Sequence, residues 1–139
     1  MSPLPDHRPD RSSLGPLEAE IMQLVWELHS VTVKDIHERL LSDPDRELTY
    51  SSVTTVLRRL THKGWLACDA TGRTFYWRPL ISRADAQVWQ AHDRLRLFLS
   101  VGTPEVVAAF ADSLDHASLE QLEAIARRIE AVRKAREED

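Results

Sequence analysis

A helical pattern that continues directly into a hairpin pattern constrains the fold of this chain most. Residues 49–63 read TYSSVTTVLRRLTHK, and four apolar residues recur there at the spacing of one helical face: Val53, Val56, Leu57 and Leu60. Gly64 follows at once, where a left-handed residue commonly ends a helix. Two short aromatic stretches then flank ATGR, which has the composition of a hairpin turn. The chain must therefore place a β-hairpin immediately after an amphipathic helix.

Two shorter helices precede this pattern, each with its own start signal. Gly15-Pro16 supplies an N-cap and a proline at the first helical position, and the helix should reach about His29. Thr32, with Asp35 three residues later, caps a second helix, and Val31 before it is expected to add a single β-bridge. Three short helices followed by a hairpin predict a helix-turn-helix core with a wing.

The remaining residues predict three more helices. One should run from Ser82 to Gly102, a shorter one should follow to about Leu114, and the last should begin at a capping box made by Ser118 and Gln121. The predicted fold class is mainly α with a small β-hairpin. It is a winged helix-turn-helix followed by a three-helix dimerisation region.

Positive charge is concentrated in the third helix and the hairpin. Residues 49–83 hold six Lys or Arg side chains against one acid, a balance of +5 in a chain whose net charge is −4. No Asp or Glu occurs in residues 49–63, as expected of a surface that faces phosphate. Short hydroxyls let this helix approach DNA closely, and Arg58 can make two hydrogen bonds to a guanine or a phosphate. The predicted DNA contacts are Thr49, Tyr50, Ser51, Ser52, Thr54, Thr55, Arg58, Arg59, His62, Lys63 and Arg73.

The last three helices have the opposite charge balance and too little mass for a core of their own. From residue 84 onward, seven basic side chains are matched by eleven acidic ones, which suits contact with protein. Three such helices cannot enclose a stable core alone, but a second copy would supply the missing half. The predicted homodimer contacts are Val88, Trp89, Leu95, Phe98, Leu99, Val107, Phe110, Leu114, Leu119, Leu122, Ile125 and Ile129.

These patterns divide the chain into three parts. Residues 1–14 are rich in Pro, Asp, Arg and Ser and should form a disordered N-terminal arm. Residues 15–82 should form the winged-helix DNA-binding domain, and residues 83–139 the helical dimerisation domain.

Other classes of protein find little support in the sequence. Cys68 is the only cysteine, and the six histidines lack the spacing of metal ligands, so we predict no disulfide framework and no metal. Neither a nucleophile arrangement nor a phosphate-binding glycine loop is present, which predicts a non-enzyme without a cofactor. With no signal peptide and no apolar run long enough to span a bilayer, we expect a cytoplasmic protein without membrane insertion.

Four segments carry a resemblance to a known family. LGPLEAEIMQLVWEL, TVKDIHERL, LTYSSVTTVLRRLTHKGWL and GRTFYWRP occur in this order over residues 14–83. In order and spacing they resemble the BlaI/MecI-type penicillinase repressor family, whereas over residues 84–139 the similarity is mainly one of pattern. The resemblance implies a homodimeric repressor that binds a double-stranded, pseudo-palindromic DNA operator in a promoter, with the C-terminal helices interlocked between subunits.

The resemblance also bears on how repression would be relieved. Lactam-sensing members are cut in the dimerisation region, which implies a membrane sensor protease as a partner. By position the cut would fall between Ala109 and Phe110. Copper-responsive members carry a cysteine-rich tail, which this chain lacks, so copper sensing by that route is not expected.

Several readings of the sequence remain open. The basic winged helix could bind an acidic protein instead of DNA, and binding to duplex DNA that weakens with salt would distinguish the two. A repressor gated by a ligand would need an effector pocket, for which the surroundings of Trp89 and Phe98 are the candidates. Tyr50 suits either a DNA contact or packing against the second helix. Cys68 suits either a small strand residue or a redox site.

Overall fold

The computed structural model describes residues 4–100 and 102–138, and in them the mainly α fold class is confirmed. These residues form six helices and one two-stranded antiparallel sheet. In chain order the elements are α1 (Pro16–Leu28), α2 (Val33–Leu40), α3 (Tyr50–His62), β1 (Leu66–Asp69), β2 (Tyr76–Pro79), α4 (Arg83–Ser100), α5 (Pro104–Ser113) and α6 (His116–Glu137).

The chain divides into two compact units, Met1–Arg96 and Leu97–Asp139. The boundary therefore falls inside α4, later than the boundary at residue 82 that the sequence predicts. The physical reason is that Ala86 and Trp89, in the first half of α4, are buried in the core of the first unit. Burial of an indole ring makes this part of α4 integral to that unit.

The core of the first unit is built where α1, α2 and α3 meet the hairpin. Its fully buried aliphatic residues come from every one of these helices and include Ile21, Val25, Ile36, Val53 and Leu57. On α3 these are the apolar positions that the helical spacing indicates. Because that face packs inward, the opposite face of α3 lies at the surface.

Local signals determine where these helices begin and end. The Thr32 hydroxyl accepts from the Asp35 backbone N–H while the Asp35 carboxylate accepts from the Thr32 N–H, a reciprocal capping box. Thr49 caps α3 by accepting from the Ser52 N–H at 3.1 Å. Gly64 follows α3 with φ +83°, a conformation that side chains rarely adopt. All three features agree with the sequence predictions.

The hairpin is anchored to the core through two tryptophans. Cys68 pairs with Trp77 in the register of β1 and β2, and Val31 adds the predicted isolated bridge to Trp77. Trp65 and Trp77 are both buried. Phe75 is half-exposed and contacts the edge of Trp77 with ring centroids 6.2 Å apart.

The N-terminal residues differ most from expectation. Residues 4–14, here called the N-terminal strap, are not a free arm but pack along the first unit, with Pro9 buried and Leu4 and Leu14 against the core. The Asp10 N–H donates to the Lys63 carbonyl at 2.8 Å, and His7 Nε2 donates to the Gly64 carbonyl at 2.7 Å. The strap thus covers the end of α3.

The same strap also holds the beginning of α4. The indole N–H of Trp89 donates to the His7 carbonyl at 2.9 Å, and Arg8 lies over the Trp89 ring and 2.8 Å from Asp93. Trp65 donates to the Arg11 carbonyl at 2.8 Å. Composition alone suggested disorder because the strap carries few apolar groups of its own, yet its backbone carbonyls satisfy buried indoles of the core.

The second unit differs from the first in having no buried core, since none of its described residues is buried. Within it, the rings of Phe98 and Phe110 meet edge to face at 4.9 Å. The last helix begins at His116 and not at Ser118, because Asp115 is the N-cap and accepts from the Ser118 N–H at 2.7 Å. This hydrogen bond also lowers the pKa of Asp115. The predicted Ser118–Gln121 capping box is therefore replaced by a stronger, charged cap.

Candidate nucleic-acid interface

The surface of α3 carries polar and basic side chains from end to end. Its exposed residues include Ser51, Thr55, Arg58 and His62 along one stripe, with Arg59 beside it. No carboxylate interrupts this helix or its cap, as the sequence indicates. The face therefore combines hydrogen-bonding groups with uncompensated positive charge.

Hydroxyl groups gather at the N-terminal end of α3. The Thr49 hydroxyl lies 3.0 Å from the Ser51 hydroxyl and 2.9 Å from the Ser52 hydroxyl. One turn later, the hydroxyls of Thr54 and Thr55 donate to the carbonyls of Tyr50 and Ser51. With their protons directed to the backbone, these two oxygens remain acceptors toward the solvent side. Short side chains here allow a close approach of the helix to a ligand.

The only acid of the basic segment is used to build the wing. Asp69 accepts hydrogen bonds from the hydroxyl and the N–H of Thr71, and these bonds lower the pKa of Asp69. Nearby Arg78 favours the charged carboxylate as well. Asp69 therefore shapes the turn that carries Arg73, which is exposed.

Cys68 lies exposed on β1, within reach of the charge on Arg58. Partial desolvation of the thiol and the neighbouring Asp69 raise the pKa of Cys68, while Arg58 acts in the opposite direction. A raised pKa disfavours the reactive thiolate. The environment of Cys68 therefore favours the structural reading of this residue over the redox reading.

A largely apolar groove lies beside the polar face of α3, toward the wing. It has a volume of about 570 Å³ and lies between the first turn of α2, the start of α3 and the approach to β2. Its lining includes Thr32, Lys34, Tyr50, Thr54, Thr74 and Phe75. Apolar groups, among them Val33, Phe75 and Trp77, make up most of its surface, and Lys34 is its one charged residue.

Tyr50 has a partner inside the protein. Its ring stacks on His37 of α2, with centroids 4.1 Å apart and planes at 18°, yet half of Tyr50 remains exposed. Packing on the second helix, one of the two sequence-based readings, is therefore present. The exposed half of the Tyr50 ring is still accessible for the other reading, a contact with DNA.

Lys63 must be withdrawn from the predicted DNA contacts. Its ammonium lies 3.1 Å from Glu18 and donates to the Ser13 carbonyl at 2.7 Å. Only 16% of the Lys63 side chain and 9% of the Glu18 side chain are exposed. The sequence could not reveal this pairing, because the two residues are far apart in the chain and each suits a surface position.

Trp89 must likewise be withdrawn from the predicted dimer contacts. It belongs to the core of the first unit, and its N–H is satisfied by the strap. The other predicted dimer residues are exposed in the single chain, including Val88 and Leu95 on α4 and Ile129 on α6. Within the second unit, Phe98, Val107, Phe110, Leu114, Leu119, Leu122 and Ile125 line an apolar groove of about 560 Å³.

The remaining predicted features can also be placed. Ala109 and Phe110, which flank the suggested cleavage site, lie on the exposed surface of α5. Trp89 belongs to the first unit and Phe98 to the second, so an effector pocket drawn from both stays a prediction. Across residues 4–100 and 102–138, no helix is long and apolar enough to cross a membrane, and no cluster of His, Cys, Asp and Glu is arranged to hold a metal ion.

Among known proteins, the chain matches the family model described as penicillinase repressor over residues 14–131. An uncharacterized 16.5 kDa protein in the ptsI 3' region of Latilactobacillus sakei is 32% identical over 69 residues. That match spans 50% of this chain and 46% of the relative, so the chain covers about half the length of this curated relative.

Two solved structures are similar in shape. The DNA-binding domain of the repressor BlaI has a TM-score of 0.47 at 24% identity, covering 56% of this chain and 93% of that domain. A mutant of MarR from E. coli, solved in complex with operator DNA, has a TM-score of 0.42 at 15% identity, covering 84% of this chain and 76% of that one.

The family model includes both the winged-helix residues and most of the C-terminal helices. Because both TM-scores lie under 0.5, the assignment depends on this model, which extends well beyond half of the chain. The resemblance seen in the sequence segments is confirmed. The chain therefore belongs to the penicillinase repressor family.

Proposed function

We propose that this chain is a homodimeric transcriptional repressor that binds a pseudo-palindromic DNA operator through α3 and the wing. The observation that carries the proposal is the exposed, carboxylate-free face of α3, with Ser51, Thr55 and Arg58 on it and Arg73 on the neighbouring wing. Phosphate contacts by basic groups supply affinity, while hydroxyls and guanidinium groups on a helix can read base edges. Membership of a repressor family supports the same role.

The assignment of roles follows from position on this face. Arg58, beyond the hydroxyls on the central stripe, is the candidate for reading a base in the major groove. Arg73 on the wing and Lys34 at the groove are candidates for phosphate contacts, which fix orientation without reading sequence. Arg59, beside the stripe, is assigned to phosphate as well.

Dimerisation is the second part of the proposal. The described residues of the second unit leave their large apolar groups half-exposed, among them Leu122 and Ile125 at 52% and 54%. Each such side chain contributes about 1.5–3 kcal/mol when it is fully buried, which a second copy of the unit would allow. Two-fold symmetry would then present two α3 helices to related half-sites of one operator.

Selection from a pool of random DNA duplexes tests the proposal without knowledge of the operator. The full chain should enrich inverted repeats whose half-site centres are about 10 base pairs apart, or a multiple of that spacing. Affinity for the enriched sequence should fall steeply as salt increases and should exceed affinity for random duplexes by ~10³-fold or more.

A matched control and a mass measurement complete the test. The double variant R58A/R59A should enrich no sequence under the same conditions. Sedimentation equilibrium should give twice the chain mass of 15.9 kDa. A mass of one chain at all concentrations would contradict the homodimer, and equal affinity for all duplexes would favour the alternative of a protein-interaction module.

Proteolytic release is the finer proposal for regulation. We propose the Ala109–Phe110 bond as the site for a membrane sensor protease, because both residues lie on the surface of α5 and cleavage would divide the apolar groove. Because the bond lies within a helix, α5 must open before a protease can bind it in extended form. Incubation with an activated membrane sensor protease, followed by mass spectrometry, should show one cut at this bond, and an intact chain would contradict the proposal.

A further inference from the structure

The side chain of His37 joins the second helix to the beginning of α3. It lies in the last turn of α2 and is partly buried. His37 Nε2 is 2.8 Å from the Leu48 carbonyl oxygen, and the imidazole ring stacks on Tyr50. Since a carbonyl oxygen only accepts, Nε2 must donate the proton of this hydrogen bond.

Leu48 and Tyr50 stand on either side of Thr49, the N-cap of α3. The preceding loop is held to α1 by the contact of the Arg46 guanidinium with Glu20, and the N–H groups of Asp45 and Arg46 bond to Asp43 within the loop. Nearer to α3, His37 reaches across from α2 and contacts both neighbours of the cap. His37 is therefore the side chain that holds the residues on both sides of the α3 cap.

The groups that depend on this cap are the hydroxyls at the start of α3. Ser51 and Ser52 surround the Thr49 hydroxyl at 2.9–3.0 Å, and the Ser52 N–H is bonded to it. Base-edge hydrogen bonds require donor–acceptor distances of roughly 2.7–3.2 Å, so a small displacement of the cap would break them. Contacts to phosphate through long, flexible arginines tolerate such a displacement better.

We propose that His37 is a positioning residue for sequence-specific DNA recognition. By holding Leu48 and Tyr50, it sets the direction in which the first turn of α3 meets the bases, and it does so without touching DNA itself. The proposal rests on the proposed function of α3 as the DNA-reading helix. It predicts that loss of His37 lowers specificity more than general affinity.

Two substitutions separate the two contacts of His37. H37F keeps a ring for Tyr50 but removes the donor to Leu48, whereas H37Q keeps a side-chain N–H donor but removes the ring. The first measurement is amide hydrogen exchange of the full chain without DNA. We expect faster exchange of the Ser52 amide in both variants, because its acceptor, the Thr49 hydroxyl, is held less firmly. An unchanged exchange rate of the Ser52 amide in both variants would overturn the positioning role of His37, independently of any DNA-binding result.

The second measurement compares the selected operator with a random duplex. Each variant should lose about two- to tenfold in affinity for the operator, which is the effect of losing one base-edge hydrogen bond from the first turn of α3. Affinity for random DNA should stay within twofold of wild type. H116Q, which alters an exposed histidine on α6, is the matched control and should behave as wild type. Equal losses on both duplexes would overturn the proposal. If wild type itself does not prefer the operator, the proposed function fails, while the exchange measurement still decides whether His37 positions the cap.

Discussion

Two arginines on the candidate interface are expected to differ in what they recognise. Arg58 follows the hydroxyl stripe on α3, whereas Arg73 lies on the turn of the wing. R58A should weaken binding to the selected operator by about 1–3 kcal/mol, because a base-reading contact is lost. R73A should weaken binding to all sequences alike and reduce the salt dependence by about one counterion, because a phosphate contact is lost. Fluorescence anisotropy on operator and random duplexes at several salt concentrations measures both effects.

The comparison has a clear negative outcome for each arginine. If R58A loses equal affinity on operator and random DNA, Arg58 reads no base. If R73A loses more affinity for the operator than for random DNA, Arg73 takes part in reading the sequence and does not contact phosphate alone.

The pair of Lys63 and Glu18 is expected to matter for stability. Both side chains are largely buried, so removing one leaves the other charge without its partner. K63M should lower the free energy of unfolding by about 3 kcal/mol, the lower end of the range for a broken buried ion pair. The double variant K63M/E18Q should regain much of that loss. Urea unfolding checks the prediction, and a K63M protein as stable as wild type would restore Lys63 as a candidate DNA contact.

Individual elements were predictable where a local rule decides them. Thr32, Thr49 and Gly64 have hydrogen-bonding or conformational properties that act over a few residues, and the structure uses them as the sequence indicates. The apolar side of α3 follows from its spacing in the same way. At the start of α6 the sequence offers two possible N-caps, Asp115 and Ser118, and the charged Asp115 is the one that caps the helix.

Elements that depend on distant partners could not be predicted. The strap has no periodic pattern, and its backbone carbonyls become useful only because Trp65 and Trp89 need acceptors. The burial of Lys63 against Glu18 and the contact of His37 with Leu48 join residues from different helices or loops. Such pairs appear only once the fold brings them together.

The strap is expected to respond to acid through Asp93. Its carboxylate accepts from the Ser12 hydroxyl and also contacts His92 and Arg8, and these contacts hold the pKa of Asp93 below its usual range. Because the folded pKa is lowered, the stabilisation is present above a pH of about 4 and is lost as pH falls through the lowered pKa. Wild type should therefore be more stable than D93N near neutral pH, and the difference should disappear in acid.

Urea unfolding of wild type and D93N across this pH range measures the difference. D85N, an acid in the first turn of the same helix, is a suitable control for general effects of charge. A difference between wild type and D93N that is independent of pH would show that the Asp93 charge does not hold the strap.

At the scale of the whole molecule, the C-terminal helices and DNA binding are expected to be coupled. L122E places a charge among the apolar groups of the second unit, where a partner chain would have to desolvate it. We expect this variant to sediment as a single chain and to lose ~10²-fold or more in operator affinity, because a monomer can use only one half-site at a time. Its affinity for an isolated half-site should remain that of wild type.

The control for this prediction is the neighbouring exposed residue on α6. E123Q changes the charge beside Leu122 without introducing one into the apolar groove, so it should remain a dimer. Full operator affinity in a monomeric L122E protein would contradict the coupling of dimerisation to recognition.

The strap also gives this protein an internal optical signal. Trp89 is 6% exposed and Trp65 fully buried, and both indole N–H groups are bonded to strap carbonyls. Detachment of residues 4–14 would admit water to these rings and shift their emission to longer wavelength, even while the helices stay folded. Intrinsic fluorescence can therefore follow the order of the N-terminus in the native chain without a label, and a fragment that begins at Gly15 would show the detached signal from the start.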